Sequence, residues 1–237
     1  MKAAVLAGGK GTRLRPFTTT FPKPLMPMGE MPILELLLRQ LRAHGVDEVT
    51  LLTGHLAYLI EGYIGQGESL GLSVDYVHEA EPLGTAGPLR SLVGRMTDDF
   101  LVMNGDLLTD VDFTALMDHH RASRATVTIS TFNREERLEL GVLQSAPDGA
   151  ITGYDEKPQL NLTVSMGLYA MSPAALRLIP DGYYDMPDLI RDLLAAGQPV
   201  IGRRHEGTWY DIGRPDDYAA ANELFARDPR AFLAPER

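Results

Sequence analysis

From residue 2 onward the chain alternates short apolar runs with amphipathic ones. "KAAVLA" at 2–7 is apolar at every position after its lysine, the pattern of a strand buried on both faces. In "PILELLLRQLRAHG", Ile33, Leu34, Leu37, Leu38 and Leu41 recur at helical spacing, which predicts a helix that stops at Gly45. "EVTLLTG" then predicts a strand, "LAYLIEGYIG" a helix and "LSVDYVH" another strand. A helix at about 85–95 and the strand "FLVMNGD" continue the series. Beyond residue 124 the strand-like runs crowd together ("ATVTISTF", "LGVLQS", "AITGYDE", "VSMGLYAM"). Two helices, at about 186–196 and 215–226, close the pattern with a short strand pair between them. Strand and helix alternating at this spacing imply an α/β fold: a Rossmann-like three-layer sandwich with a mostly parallel mixed sheet and a small antiparallel extension. No repeat and no Pro/Gly/Ser linker breaks the series, so residues 1–237 read as a single domain.

Composition narrows the chemistry. With 237 residues, 44% of them hydrophobic, the chain can bury one large core. It has no run of 18 apolar residues and no basic-then-apolar leader, so a soluble, cytoplasmic protein without a membrane partner is expected. The absence of cysteine excludes a disulfide framework and thiolate metal sites. A formal net charge of −10 argues against nucleic acid as a partner. Against that background the basic cluster in "LAGGKGTRLRPFTTTFPKPL" at 6–25 stands out.

The glycines of this stretch follow a strand and are not followed directly by a helix. They do not form a P-loop, because Ala4 stands where its first glycine belongs and Gly11 follows Lys10. They do not form the dinucleotide fingerprint either, because the third glycine position is Leu14. What remains is a loop whose amides can approach phosphate oxygens, with Arg13 and Lys23 as cations, or else a tight turn with solvated basic residues. In "MNGDLLTD", Asp106 lies just past the carboxyl end of a buried strand, where open α/β sheets place ligands, although Asn-Gly and Asp-Gly are also ordinary turn dipeptides. In "TWYDIGRPDDY", Asp211 is free of a helix-capping role because Pro215, Asp216 and Asp217 already start the following helix. "HEAEPLGTAGPLRSL" offers Gly84, Ala86 and Gly87 as small residues against which a nucleobase can lie, or a plain loop into a helix. The six histidines show no ligand spacing, and His119 and His120 point apart on one helix.

Taken together, Gly8-Gly9-x-Gly11-Thr12-Arg13-Leu14-x-Pro16, Thr18 and Pro22-Lys23-Pro24-Leu25 resemble the signature of the sugar-1-phosphate nucleotidylyltransferases, over Met1 to about Phe225. That resemblance implies an enzyme joining a nucleoside triphosphate to a sugar 1-phosphate with release of pyrophosphate, assisted by Mg2+. It implies catalytic roles for Arg13, Lys23 and Asp106, and a metal held by Asp106 and Asp211. Nucleotide contacts are implied for Leu6, Ala7, Gly8, Gly9, Gly11, Thr12, Glu79, Pro82, Gly84, Thr85, Asn104 and Gly105. "YDEKP" resembles the family's Glu-Lys-Pro motif, which gives Glu156 to sugar hydroxyls and Lys157 to the sugar phosphate. Gly141, Ser165 and Gly167 complete the sugar side, Ser165 standing where many relatives carry asparagine.

The base remains to be read. In the family the residue at Glu79 faces it, and a carboxylate offers acceptors only, which suits the adjacent N1-H and N2-H2 donors of guanine better than uracil or thymine. "EPLGTAGPL" also resembles GDP-mannose and GDP-heptose-forming guanylyltransferases, so GTP is the expected donor, with uridylyl or thymidylyl transfer and Glu81 as reader left open. A catalytically silent regulatory relative would lose Arg13 or the metal carboxylates, and this chain keeps them. A glycosyltransferase would use an Asp-x-Asp motif; "DVD" at 110–112 has the spelling, but it begins a helix. A bare catalytic unit without a C-terminal β-helix domain is expected, with homo-oligomerisation left open.

Overall fold

The first apolar run is buried on both sides, as its pattern requires. Ala3, Val5 and Ala7 pack with Leu34, Leu37, Leu38 and Leu41, while Ala4 packs with Leu89, Leu92, Leu189 and Leu193. In the computed structural model, which describes residues 1–233, this run is β1 (Lys2–Ala7), an interior strand of the main sheet. The elements that follow are β2 (Pro27–Met28), β3 (Met31–Pro32), α1 (Ile33–Ala43), β4 (Glu48–Thr53), α2 (Ala57–Ile64) and β5 (Ser73–His78). Next come β6 (Phe100–Asn104), β7 (Leu107–Thr109), α3 (Phe113–Ser123), β8 (Val127–Arg137), β9 (Val142–Ser145) and β10 (Ile151–Asp155). The chain continues through β11 (Gln159–Met171), α4 (Pro173–Leu176), α5 (Met186–Ala195), β12 (Val200–His205), β13 (Trp209–Asp211) and α6 (Pro215–Arg227). Residues 234–237, which the single-domain reading includes, lie outside the described residues.

The main sheet has seven strands in the order β12-β8-β11-β6-β1-β4-β5, and only β11 runs against its neighbours. Helices α1, α2 and α3 cover one face; α4, α5 and a 3-10 segment at Gly87–Leu92 cover the other. Full burial of each α1 leucine stabilises the sandwich by about 1.5–3 kcal/mol. The mostly parallel mixed sheet between two helical layers matches the expected α/β class, and the antiparallel β9–β10 hairpin and the long β8–β11 ribbon form the expected extension. A third apolar cluster, around Leu14, Met28, Ile33, Leu108, Ile212 and Phe225, fastens α6 and the residues after β1 to the sheet.

Two expectations need correction. The helix expected at 85–95 is only the 3-10 segment Gly87–Leu92: Val93 leaves helical geometry with ψ 123° and Gly94 takes φ +82°, so the chain turns away there. The two strands between α5 and α6 do not pair with each other. β12 extends the sheet beside β8, whereas Asp110 Oδ1 accepts the Thr208 N–H at 2.7 Å and turns the chain, so that β13 pairs with β7.

His120 is buried in the core, with Nδ1 2.9 Å from Thr128 Oγ1 and Nε2 3.8 Å from Asp99 Oδ1. Burial holds its pKa below the ordinary imidazole value; the positive charges of Arg121 and His119 act the same way, and Asp99 opposes them. A depressed imidazole pKa means the unfolded chain binds the proton more tightly. Its contribution is therefore complete above about pH 6.5 and is lost as the pH falls from there through the folded-state value. Melting temperatures of the wild type should fall more steeply than those of His120→Gln between about pH 7.5 and 5. Parallel curves would place that linkage elsewhere.

Candidate active site

Beyond β1 the chain makes no α-helix until α1, only single 3-10 turns at Thr12–Leu14, Phe17–Thr19 and Lys23–Leu25. Gly11 has φ +58°, and its carbonyl accepts the hydroxyl of buried Thr18 at 2.7 Å and the Leu14 N–H at 2.9 Å. A loop fixed from beneath in this way leaves Gly9 and Lys10 exposed, with Thr12 and Arg13 following on the same surface. A Cβ on Gly8 would stand 2.5 Å from Glu79 Oε1, so only glycine lets that carboxylate close against the loop.

The carboxyl ends of β6 and β13 meet beside this loop. The Gly105 N–H donates to the Leu6 carbonyl at 2.9 Å, prolonging the β1–β6 pairing by one bond, and Asp106 comes next, two residues past the end of β6. Antiparallel pairing of β13 with β7 sets Asp211 opposite Leu107, and the Ile212 N–H donates to the Asp106 carbonyl at 3.2 Å. The two carboxylates are therefore neighbours although they lie far apart in sequence. Lys23 joins them: its ammonium contacts Asp106 Oδ2 and lies 4.0 Å from Asp211 Oδ1. Asp106 Oδ1 is buried with no hydrogen-bond partner among the described residues. Burial pushes the Asp211 carboxyl above its usual range, the Asp106 charge adds to this, and Lys23 and Arg13 oppose it. The Arg13 guanidinium lies over Gly213, its Cζ 3.4 Å from where a Cβ would stand. Among the described residues no group of three or more His, Cys, Asp or Glu side chains is placed to hold a metal ion.

A cavity of about 290 Å³ opens next to the pair, lined by Leu6, Thr85, Asn104, Ser165, Gly167 and Asp211 from the sequence reading. β11 reaches it through a register shift between Ser165 and Tyr169, a bulge that re-aims the strand. Gly167 takes φ +70° there, and a Cβ on it would stand 2.5 Å from Asn104 Nδ2. Ser165 Oγ is 3.1 Å from the Tyr169 hydroxyl and accepts the Gly167 N–H at 3.3 Å. Met166, Tyr169, Met186, Pro187 and Trp209 complete the lining. No motif of the sequence singles out any of these five. Trp209 alone carried a signal, as the one tryptophan of the chain beside Asp211; its indole N–H donates to the Met166 carbonyl at 3.0 Å.

Along the same edge of the sheet, Glu79 directly follows the outermost strand β5. Its half-buried carboxyl is pushed up by loss of solvation, and Oε2 accepts the Leu83 N–H at 3.0 Å. β5 and β6 stand three strand spacings apart, about 14 Å, so Glu79 and Asp106 mark the two ends of an elongated surface. Between them the loop carrying Pro82, Gly84 and Thr85 packs against residues 182–186. Gly84 has φ +80°, and a Cβ there would lie 2.6 Å from the Tyr184 carbonyl. The small residues at 84 and 87 thus answer first to this close chain approach.

The remaining sugar-side residues sit apart. Gly141 lies against Tyr154, whose hydroxyl donates to Glu156 Oε2 at 2.6 Å, and Lys157 Nζ pairs with Glu139 Oε2 at 3.1 Å. All belong to the exposed β9–β10 hairpin and its flanks, and none lines the cavity.

A mostly parallel sheet carrying a glycine-rich loop after β1 and two converging carboxylates at its carboxyl edge is the framework of a nucleotide-handling α/β protein. The nucleotidyl transferase family model matches residues 2–228, and the chain belongs to that family. It is 36% identical to a UTP–glucose-1-phosphate uridylyltransferase of Synechocystis sp., covering 99% of this chain and 66% of that protein. It is 34% identical to a mannose-1-phosphate guanylyltransferase of Mycobacterium tuberculosis, covering 95% of this chain and 64% of that protein. The chain thus spans about two thirds of the length of these curated relatives. Among solved structures, HddC from Yersinia pseudotuberculosis superposes with a TM-score of 0.73 at 26% identity, over 94% of this chain and 99% of that one. A Bacillus anthracis structure described as a glucose-1-phosphate thymidylyltransferase shares the fold, with a TM-score of 0.79 at 24% identity over 98% of both chains. Among the described residues no helix is long and apolar enough to cross a membrane.

Proposed function

We propose that the chain, read as one catalytic domain over residues 1–237, transfers a nucleoside monophosphate from a triphosphate to a sugar 1-phosphate. The observation that carries this is the convergence of Lys23, Asp106 and Asp211 beside the cavity and at the foot of the glycine-rich loop. An oxygen of the sugar phosphate attacks the α-phosphorus, a new P–O bond forms, and the bond from the α-phosphorus to the bridging oxygen breaks. Pyrophosphate leaves with that electron pair. Residues that position and neutralise supply the acceleration, since no covalent intermediate is required. The Gly8–Gly11 amides, with Leu6, Ala7 and Thr12, cradle the triphosphate; Arg13 stabilises the departing pyrophosphate and Lys23 the charge at the α-phosphate. Asn104 and Gly105 hold the nucleotide where β6 ends. Ser165 and Gly167 face the sugar, while Gly141, Glu156 and Lys157 reach it from the hairpin, Lys157 exchanging Glu139 for the sugar phosphate.

The carboxylates fit a magnesium ion. Mg2+ uses one or two protein carboxylates together with substrate phosphates, and the buried, unpartnered Asp106 Oδ1 beside Asp211 supplies such a donor set. When bound, the ion neutralises phosphate charge and orients the triphosphate. Without it, Lys23 is the cation between the two carboxylates.

GTP is the proposed donor. Glu79 presents acceptors only, the M. tuberculosis relative is a guanylyltransferase, and HddC was crystallised with GMP-PN. Uridylyl transfer is the second reading, favoured by the Synechocystis relative. A matrix of the common triphosphates against hexose and heptose 1-phosphates, followed by pyrophosphate release with Mg2+, tests the proposal. GTP with one sugar phosphate should give the fastest release; no release from any pair would remove the assignment, and a UTP or dTTP optimum would remove the base.

A further inference from the structure

Asp185 occupies the residue before α5, where an aspartate ordinarily caps its own helix, yet its carboxylate makes no such bond. It reaches across to the nucleotide loop instead. Asp185 Oδ1 accepts both the Thr85 N–H, at 2.9 Å, and the Thr85 hydroxyl, at 3.0 Å. Thr85 Oγ1 in return accepts the Met186 N–H at 2.8 Å, supplying α5 with the capping acceptor that Asp185 withholds. The Tyr183 hydroxyl donates to Asp185 Oδ2 at 2.7 Å, which fixes the carboxylate plane. Around this exchange the Ala86 and Gly87 N–H groups donate to the Tyr184 carbonyl, and the Tyr184 N–H donates to the Leu83 carbonyl. The loop at 83–87 and the start of α5 are thereby stitched into one unit.

The two halves of that unit form different walls of the same cavity. Thr85 lines it from the loop that begins at Glu79; Met186 and Pro187 line it from α5, where the cavity continues to Ser165 and Gly167. We infer that Asp185 is a positioning residue that holds these two walls in register, so that the nucleotide side and the sugar side of the cavity are set together. The inference rests on the proposed transfer for its kinetic consequences only. The hydroxyl proton of Thr85 is committed to Asp185 and one of its lone pairs to the Met186 N–H, so a single lone pair is left unused on that hydroxyl.

Asparagine separates positioning from general packing. Asp185→Asn keeps an Oδ1 that accepts both Thr85 donors, and its amide can donate to the Tyr183 oxygen. Asp185→Ala leaves the Thr85 N–H and the Tyr183 hydroxyl without that partner. In the alanine variant KM should rise about tenfold for the triphosphate and for the sugar phosphate alike, with kcat within about threefold of wild type; the asparagine variant should stay near wild type in both. Adding Thr85→Val to Asp185→Ala should cost no more than the worse single change, since both break one unit.

Amide hydrogen exchange on the free protein gives a reading that needs no turnover. In Asp185→Ala, residues 83–87 and 186–189 should exchange faster together, and in Asp185→Asn neither should. Loosening of one segment alone, or a lowered melting temperature with both KM values unmoved, would overturn the inference. If the wild type released no pyrophosphate with any pair, the assigned reaction would fall, and joint loosening alone would still uphold the coupling.

Discussion

Asp106→Asn and Asp211→Asn should each lower turnover about a thousandfold, equivalent to about 4 kcal/mol of transition-state stabilisation. Each exchange keeps the size of the side chain and removes the charge that a divalent ion needs. Their effects on stability should differ in sign. Burial and the neighbouring Asp106 charge hold the Asp211 carboxyl above its usual range, so the folded state resists its ionisation, and removing that charge should leave the melting temperature unchanged or higher at neutral pH. Asp106 contacts the Lys23 ammonium, so its replacement weakens a charge-assisted bond and should cost about 1 kcal/mol. On the proposal that both carboxylates serve one ion, the double variant should be barely slower than the singles. Near-normal turnover in either single variant, with calorimetry showing a folded protein, would remove that residue from the site.

Glu79→Gln should reduce GTP efficiency about 30- to 150-fold, corresponding to about 2–3 kcal/mol for a lost charge-assisted pair and an opposed donor. Glu79 Oε2 already accepts the Leu83 N–H, and an ionised carboxylate has enough lone pairs to hold that amide and two guanine donors at once. A glutamine does not. Leu83 forces the amide oxygen toward itself and so turns the NH2 group toward the base, where guanine also presents donors. UTP and dTTP should lose far less or gain, because each offers acceptors flanking its single donor. Competition between GTP and UTP for one sugar phosphate measures the ratio; an unchanged ratio in Glu79→Gln would show that the base is read elsewhere, Glu81 being the nearest alternative in sequence.

Much of the scaffold is legible from local pattern. The leucines of α1, the unbroken apolar run of β1 and the alternation through β6 each follow from side chains that must be buried on one face or two. What failed had a partner distant in sequence. The segment expected as a helix at 85–95 is turned away at Gly94, with φ +82°, and its start is tied to the distant Tyr184 carbonyl, which accepts the Ala86 and Gly87 N–H groups. β12 and β13 look like a hairpin, yet Asp110 draws Thr208 away from that pairing. The site divides along the same line. Asp106 could be located from its strand alone, because the carboxyl edge of an open sheet is where ligands lie. Its juxtaposition with Asp211 depends on β7 and β13, two strands of three residues each that no periodicity could pair, and there family resemblance did what spacing could not. Asp185 was invisible because a residue placed to cap its own helix caps nothing there, and its partner Thr85 lies 100 residues away in sequence.

The bond made and the bond broken can be followed directly with a sugar 1-phosphate whose three non-bridging phosphate oxygens are 18O, supplied with GTP and Mg2+ and analysed by mass spectrometry. Attack on the α-phosphorus leaves all three labels in the nucleotide sugar, one of them between the two phosphorus atoms, and releases unlabelled pyrophosphate. Label in the pyrophosphate, or consumption of the triphosphate with no labelled nucleotide sugar, would contradict transfer at this site.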